Sequence, residues 1–260
     1  MLVISEAEAR QKNLPGCDVF KLTHLAYKDN LNRDAFVVSL YHEAYKIFLA
    51  SVLIGQFQTL KEESRKVKEA LENGTFDIRT YQISQTQWQR REYINLENFY
   101  IATGFELFCK SKLLEKDFLV NVLEDKNEFK ELRKEQKKRP IHKSELFNIS
   151  GYFYDAILQK NILKGITEKS LDFGVISTEV KYYETFSLSS EMLGIIKDYR
   201  SLRNQIHLPG DFGETPNLTR LGDNAVTFII DFINSEIVDK ANALTDKWEL
   251  NYLKLAKISI

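Results

Sequence analysis

Residues 34 to 73 read DAFVVSLYHEAYKIFLASVLIGQFQTLKEESRKVKEALENG, and the first half is crowded with apolar positions: Phe36, Val37, Leu40, Tyr41, Ala44, Phe48 and Val52. Spacings of three and four are the period of a helix, and their density predicts burial on several sides. Beyond Leu60 the stripe thins to Val67 and Leu71, and Asn73-Gly74 supplies a stop. Asn32 or Asp34 is the expected cap. Residues 75 to 86 alternate polar and apolar and fit a strand or an ordered loop. A second long helix is predicted over 87 to 116, with Ile94, Leu96, Phe99, Tyr100, Thr103, Leu107, Phe108 and Leu114 on one stripe. Gly104 within it costs helix propensity but lets a neighbouring backbone approach closely.

A shorter helix is predicted over 117 to 137, apolar at its start (FLVNVL) and charged at its end, with Pro140 as breaker. SELFNISGYFYDAILQKNIL reads as helix interrupted at Gly151, whereas TEKSLDFGVISTEVKYY fits no single period. Ser187 or Ser189 caps a helix running through His207, and a last one covers about 219 to 245. The tail WELNYLKLAKISI packs back as a short helix or an edge segment. With no internal repeat and no flexible linker, the pattern gives an all-α architecture in one domain over 34 to 245. An irregular N-terminal segment covers 1 to 33, an insertion about 140 to 185, and the tail 246 to 260.

Composition narrows the function little. The chain of 260 residues holds 36 basic and 37 acidic side chains, so any nucleic-acid footprint must be local. Cys17 and Cys109 are too few and too far apart for a disulfide framework, and no secretory signal is visible, which sets a cytoplasmic expectation. The most apolar run, IFLASVLIG, has about half the length that crosses a bilayer. His24, His42, His142 and His207 include no i,i+4 pair, so no metal or other cofactor is expected. Phosphate-cradling glycine loops are absent.

The stretch YRSLRNQIHLPGD, residues 199 to 211, carries the most chemistry. Arg200, Arg203, Asn204 and His207 stand at i, i+3, i+4 and i+7, one stripe beside the apolar face of Met192, Ile195, Ile196, Tyr199, Leu202 and Ile206. A guanidinium gives paired donors to phosphate oxygens and keeps its charge as negative charge builds in a transition state. A histidine can take a proton from an attacking hydroxyl and return one to a leaving oxygen. Asn204 adds an uncharged donor and acceptor, and Asp211 is the nearby carboxylate that could orient His207. Cations before a Pro-Gly stop are also what a plain helix C-terminus favours, so capping is the competing reading.

YRSLRNQIHLPG resembles the signature of the HEPN superfamily (higher eukaryote and prokaryote nucleotide-binding domains), many of which are helical ribonucleases. There an arginine followed by a polar residue precedes, by four to six residues, a histidine near a helix end. YIATGFELFCKSKLL, residues 100 to 114, resembles the family helix with a small residue, a glutamate and a lysine, here Gly104, Glu106 and Lys110. Arg203-Asn204 matches the pair but leaves three residues before His207; Arg200 leaves six but is followed by Ser201. Either arginine can be the functional one. The resemblance implies a HEPN-like bundle and a homodimer whose stripes face each other. It also implies metal-independent cleavage of single-stranded RNA, in a defence or toxin–antitoxin effector that an antitoxin could accompany. A non-catalytic module that binds nucleotide, nucleic acid or protein, and a helical dimeric scaffold, are the alternatives.

KELRKEQKKRPIHK, residues 130 to 143, sets seven Lys or Arg against two Glu, and nominates Lys134, Lys137, Lys138, Arg139 and Lys143 as RNA contacts. Phe147, Tyr152, Phe153 and Tyr154 could stack bases, although their spacing suits a core better. Glu106 and Lys110, one turn apart, form an expected intrahelical ion pair with room to approach the arginine stripe. His42 reads as a core-edge histidine with one hydrogen bond.

Overall fold

A computed structural model describes residues 26–53, 69, 72–74, 85–155, 160–205, 224–249 and 253–258. Two long helices, α1 (Asn30–Leu53) and α2 (Gln85–Glu115), lie against each other along most of their length. Val37, Tyr41, Ala44 and Phe48 of α1, spaced i, i+4, i+7 and i+11, are buried, and meet Phe105 and Phe108 of α2. Gly104 is why the helices close so tightly: a Cβ there would stand 2.7 Å from the Phe48 ring. Phe48 then packs edge-on against Phe105, with centroids 5.2 Å apart, and Phe232 sits 4.9 Å from Phe108.

α1 begins earlier than expected. Asp29 caps it, accepting from the Asn32 N–H at 2.8 Å, so Asn32 lies within the first turn and Asp34 has another role. Asp34 is 2% exposed and takes hydrogen bonds from Lys247 (2.6 Å) and Trp248 (3.0 Å), as well as from Arg33. Arg33 continues to Asp117 at 2.9 Å, and Lys143 pairs with the other Asp117 oxygen at 2.8 Å. This chain of charges joins the start of α1, the end of α2 and the C-terminal helix.

Residues 117–137 are not one helix. Asp117 takes a left-handed φ of 61° and ends α2, with its N–H and that of Phe118 returned to Leu114 and Leu113. FLVNVL then leads into β1 (Asn121–Leu123), a 3-10 turn (Asn127–Phe129) and α3 (Lys130–Gln136). The run is extended because its backbone groups find partners outside a helix. The Val120 N–H goes to the Tyr27 hydroxyl at 2.9 Å, and the buried Gln136 amide bonds both Leu123 N–H (3.1 Å) and Asn121 C=O (2.8 Å).

The insertion holds β structure, which corrects the all-α expectation to a mainly helical one. After α4 (Lys143–Ser150), capped by His142 and Glu145 in a reciprocal box, Gly151 at φ 65° turns the chain into β2 (Tyr152–Asp155). β2 pairs antiparallel with β3 (Lys160–Leu163), and β4 (Ile166–Ser170) returns to pair with β1, Leu123 opposite Ile166 and Asn121 opposite Ser170. Two short helices, α5 (Phe173–Thr178) and α6 (Val180–Phe186), lead to α7 (Ser190–Gln205), which Ser189 caps through the Met192 N–H at 3.1 Å. The last helical stretch is α8 (Asn224–Phe232), a π-helix (Ile233–Val238) and α9 (Asp239–Lys247). After Leu253, in a 3-10 position, residues 254–258 lie outside any helix or strand and are bonded to Asn234 and Asn242 of this stretch. No described helix is long and apolar enough to cross a membrane.

Candidate functional site

α7 is fixed by its apolar face. Met192, Ile195, Ile196 and Tyr199 are buried, and the helix packs on α2 and α5. That docking sends the two candidate arginines to different neighbours. Arg203, one turn beyond Tyr199, reaches α2, where its Nη1 donates to Glu106 Oε2. Its guanidinium carbon also lies 5.6 Å from the centre of the Phe99 ring. Arg200 lies against α5 instead, with Nη2 3.1 Å from where a Cβ on Gly174 would be. Asp172 caps that helix by accepting the Gly174 N–H at 2.6 Å, and the Arg200 Nε is buried without a hydrogen-bond partner among the described residues.

Glu106 is the hub. Its Oε1 accepts from Lys110 at 2.5 Å, the intrahelical pair read from the sequence, while its Oε2 holds Arg203 across 97 residues of chain. Lys110 also donates to the Ser170 hydroxyl at 2.9 Å, so the β1–β4 pairing sets one wall of the site. Among the described residues one carboxylate faces two cations. Exposure separates them: the Arg203 side chain is 30% exposed, against 14% for Glu106 and 9% for Lys110. Among the described residues the Arg203 guanidinium is engaged through Nη1, with its carbon over the Phe99 ring.

The structure thus brings Arg203, Glu106 and Lys110 together and keeps Arg200 apart from Glu106. The Asn204 side chain, His207 and Asp211 lie outside the described residues. Ser170 and Phe99 complete the surroundings. Phe99 falls on the predicted stripe of α2, but Ser170 sits in a segment of mixed period that gave no signal.

The basic run is mostly spent on local pairs. Lys134 pairs with Glu131 at 2.8 Å and Lys143 with Asp117. Arg139 meets Glu145 side by side, at 3.0 and 2.7 Å, and also Glu135. Lys137 and Lys138 are exposed and carry no ion pair among the described residues. The core expectation for Phe147 and Tyr152 is overturned, because they are 44% and 40% exposed, with ring centroids 4.9 Å apart. Gly151 causes this by turning the chain from α4 into the hairpin, which sets the two rings against each other, tilted by 47°, on the outside. The Phe153 and Tyr154 side chains lie outside the described set.

The chain matches no family model, no curated protein and no solved structure.

Proposed function

We propose that the protein is a HEPN-like endoribonuclease that cleaves single-stranded RNA in a defence or toxin–antitoxin setting. The observation that carries this reading is the partly exposed Arg203 at the end of α7, which shares the Glu106 carboxylate with Lys110. A partly exposed guanidinium suits a phosphodiester, whose charge grows as a fifth oxygen adds to phosphorus. His207, one turn further along the sequence stripe, takes the 2'-hydroxyl proton as that oxygen attacks. The bond to the 5'-oxygen breaks, and a proton returns to it from the histidine of a second copy or from water. The products are a 2',3'-cyclic phosphate and a 5'-hydroxyl. Asn204 orients the phosphate, Glu106 positions Arg203, and Lys137 and Lys138 draw in the RNA backbone while Phe147 and Tyr152 stack bases.

Of the two arginines this reading selects Arg203, because Arg200 is packed on α5 with its Nε buried. Purified protein with single-stranded RNA in EDTA tests it. Arg203→Ala and His207→Ala are expected to lose cleavage by about 100-fold or more, and Arg200→Ala to stay within about fivefold of wild type. The Glu106 contact also favours a second reading, in which Arg203 is a structural counter-ion in a non-catalytic scaffold. In that case Arg203→Ala lowers the melting temperature and no RNA is cleaved by any variant.

A further inference from the structure

Residues 253–258 are held through both main chain and side chains. His42 Nε2 meets the Leu253 carbonyl at 2.7 Å, and the Tyr45 hydroxyl donates to the Ala256 carbonyl at 3.0 Å. Asn242 bonds Leu255 twice, its amide donating to the carbonyl at 3.0 Å and accepting from the N–H at 2.8 Å. Asn234 repeats that pairing on Ile258, both bonds at 2.8 Å. Six backbone groups are therefore read by side chains of α1, the π-helix and α9, as a neighbouring strand would read them.

The side chains add a second register. Lys254 pairs with Asp246 at 2.7 Å and Lys257 with Asp239 at 2.9 Å. Leu255 and Ile258 lean on the core without being buried, and no residue of the segment is fully buried. The segment repeats a Lys–aliphatic pair three residues apart, Lys254-Leu255 and Lys257-Ile258, and the face carries two matching copies of Asn and Asp.

The π-helix is what aligns those copies. Asn234 and Asn242 are eight residues apart, which in an α-helix leaves them about 80° out of line. A turn closed by the Asp239 N–H on the Asn234 carbonyl takes up one more residue, so eight residues make about two whole turns. The return of the chain passes through Glu249 at a left-handed φ of 56°, a conformation disfavoured for glutamate.

We propose that this face is a recognition groove for an extended peptide segment of a partner protein, with the pattern Lys–aliphatic–x–Lys–aliphatic, and that residues 253–258 are its resident, displaceable occupant. Amide pairs give affinity for any extended backbone, and the two carboxylates at matched pitch select the lysines. Segments that bury little and lie on the outside open at low cost, which makes the exchange possible.

The test uses the full chain. Lys254→Glu with Lys257→Glu sets like charges against Asp246 and Asp239, releasing the tail while leaving the groove intact. The probe is a fluorescein-labelled peptide LKLAKISI, followed by anisotropy. The released variant is expected to bind at least tenfold tighter than wild type, and adding Asn234→Ala and Asn242→Ala is expected to remove that gain. A charge-swapped groove, Asp239→Lys with Asp246→Lys, should prefer the peptide with Glu at both lysine positions. Three outcomes overturn the proposal: no peptide uptake by the released variant, unchanged hydrogen-exchange protection of the Leu255 and Ile258 amides in it, or tail exchange between copies into dimers in place of peptide binding.

Discussion

Asp34 shows how one residue sets local stability. Three donors converge on it in a nearly inaccessible position, so its negative charge balances Arg33 and Lys247 at once. Asp34→Asn keeps the shape but leaves both cations short of a counter-charge, and is expected to cost about 2–3 kcal/mol. Urea unfolding would measure this, and a loss below about 0.5 kcal/mol would mean that the pairs behave as ordinary surface contacts. Little of this role was legible, because a carboxylate near a helix start reads as a cap. Two of its three partners lie 213 and 214 residues away, where no local pattern points. The candidate site divides the same way. Glu106 and Lys110 show themselves by their one-turn spacing, whereas the reach of Glu106 to Arg203 and of Lys110 to Ser170 depends on how α7 and β4 dock.

Elements with a sustained helical period were readable. α7 and the final helix fall where their apolar stripes put them, because those stripes are buried. So does α1 as far as Leu53, the expected continuation to 73 lying mostly outside the described residues. α2 lies where expected but buries Ile101, Ala102, Phe105 and Cys109, while Phe99, Tyr100, Thr103 and Leu107 of the expected stripe stay partly exposed. FLVNVL and SGYFYDAILQKNIL were not, since a short apolar run has no period of its own and takes the conformation its partners offer. Gly104→Ala separates two element-scale effects. Propensity favours alanine by about 1 kcal/mol, while a methyl 2.7 Å from the Phe48 ring costs about 1–3 kcal/mol of overpacking. We expect net destabilisation in thermal melts, recovered in part when Phe48→Leu is added. The π-helix yields an opposite expectation. Deleting the exposed Ser235 should restore regular α geometry with the asparagines seven residues apart, still on one face, and hydrogen exchange should find the tail amides as protected as before.

Across the whole molecule, acid is the expected weak point. Burial alone would raise the Asp34 and Asp117 carboxyls, but the hydrogen bonds from Lys247, Trp248, Arg33 and Lys143 outweigh it and hold both below the usual range. Arg139 does the same for Glu145. Folded protein therefore binds fewer protons than unfolded chain once the pH nears ordinary carboxylate values, and this stabilisation is lost as pH falls through the lowered ones. Burial lowers the His42 pKa as well, so thermal melts should be flat from about pH 8 to 7, ease slightly below the ordinary histidine range and drop steeply below about pH 4, with Asp34→Asn less sensitive than wild type in the acid drop. Cys109 offers a different readout of the same solid. It is wholly enclosed between α2 and its neighbours, and burial pushes its thiol far above the ordinary range, so neither reagent nor thiolate is at hand in the closed state. In a Cys17→Ser background, the rate at which an alkylating reagent consumes this single thiol becomes a clock for how often the helical core opens, read without any knowledge of what the protein acts upon.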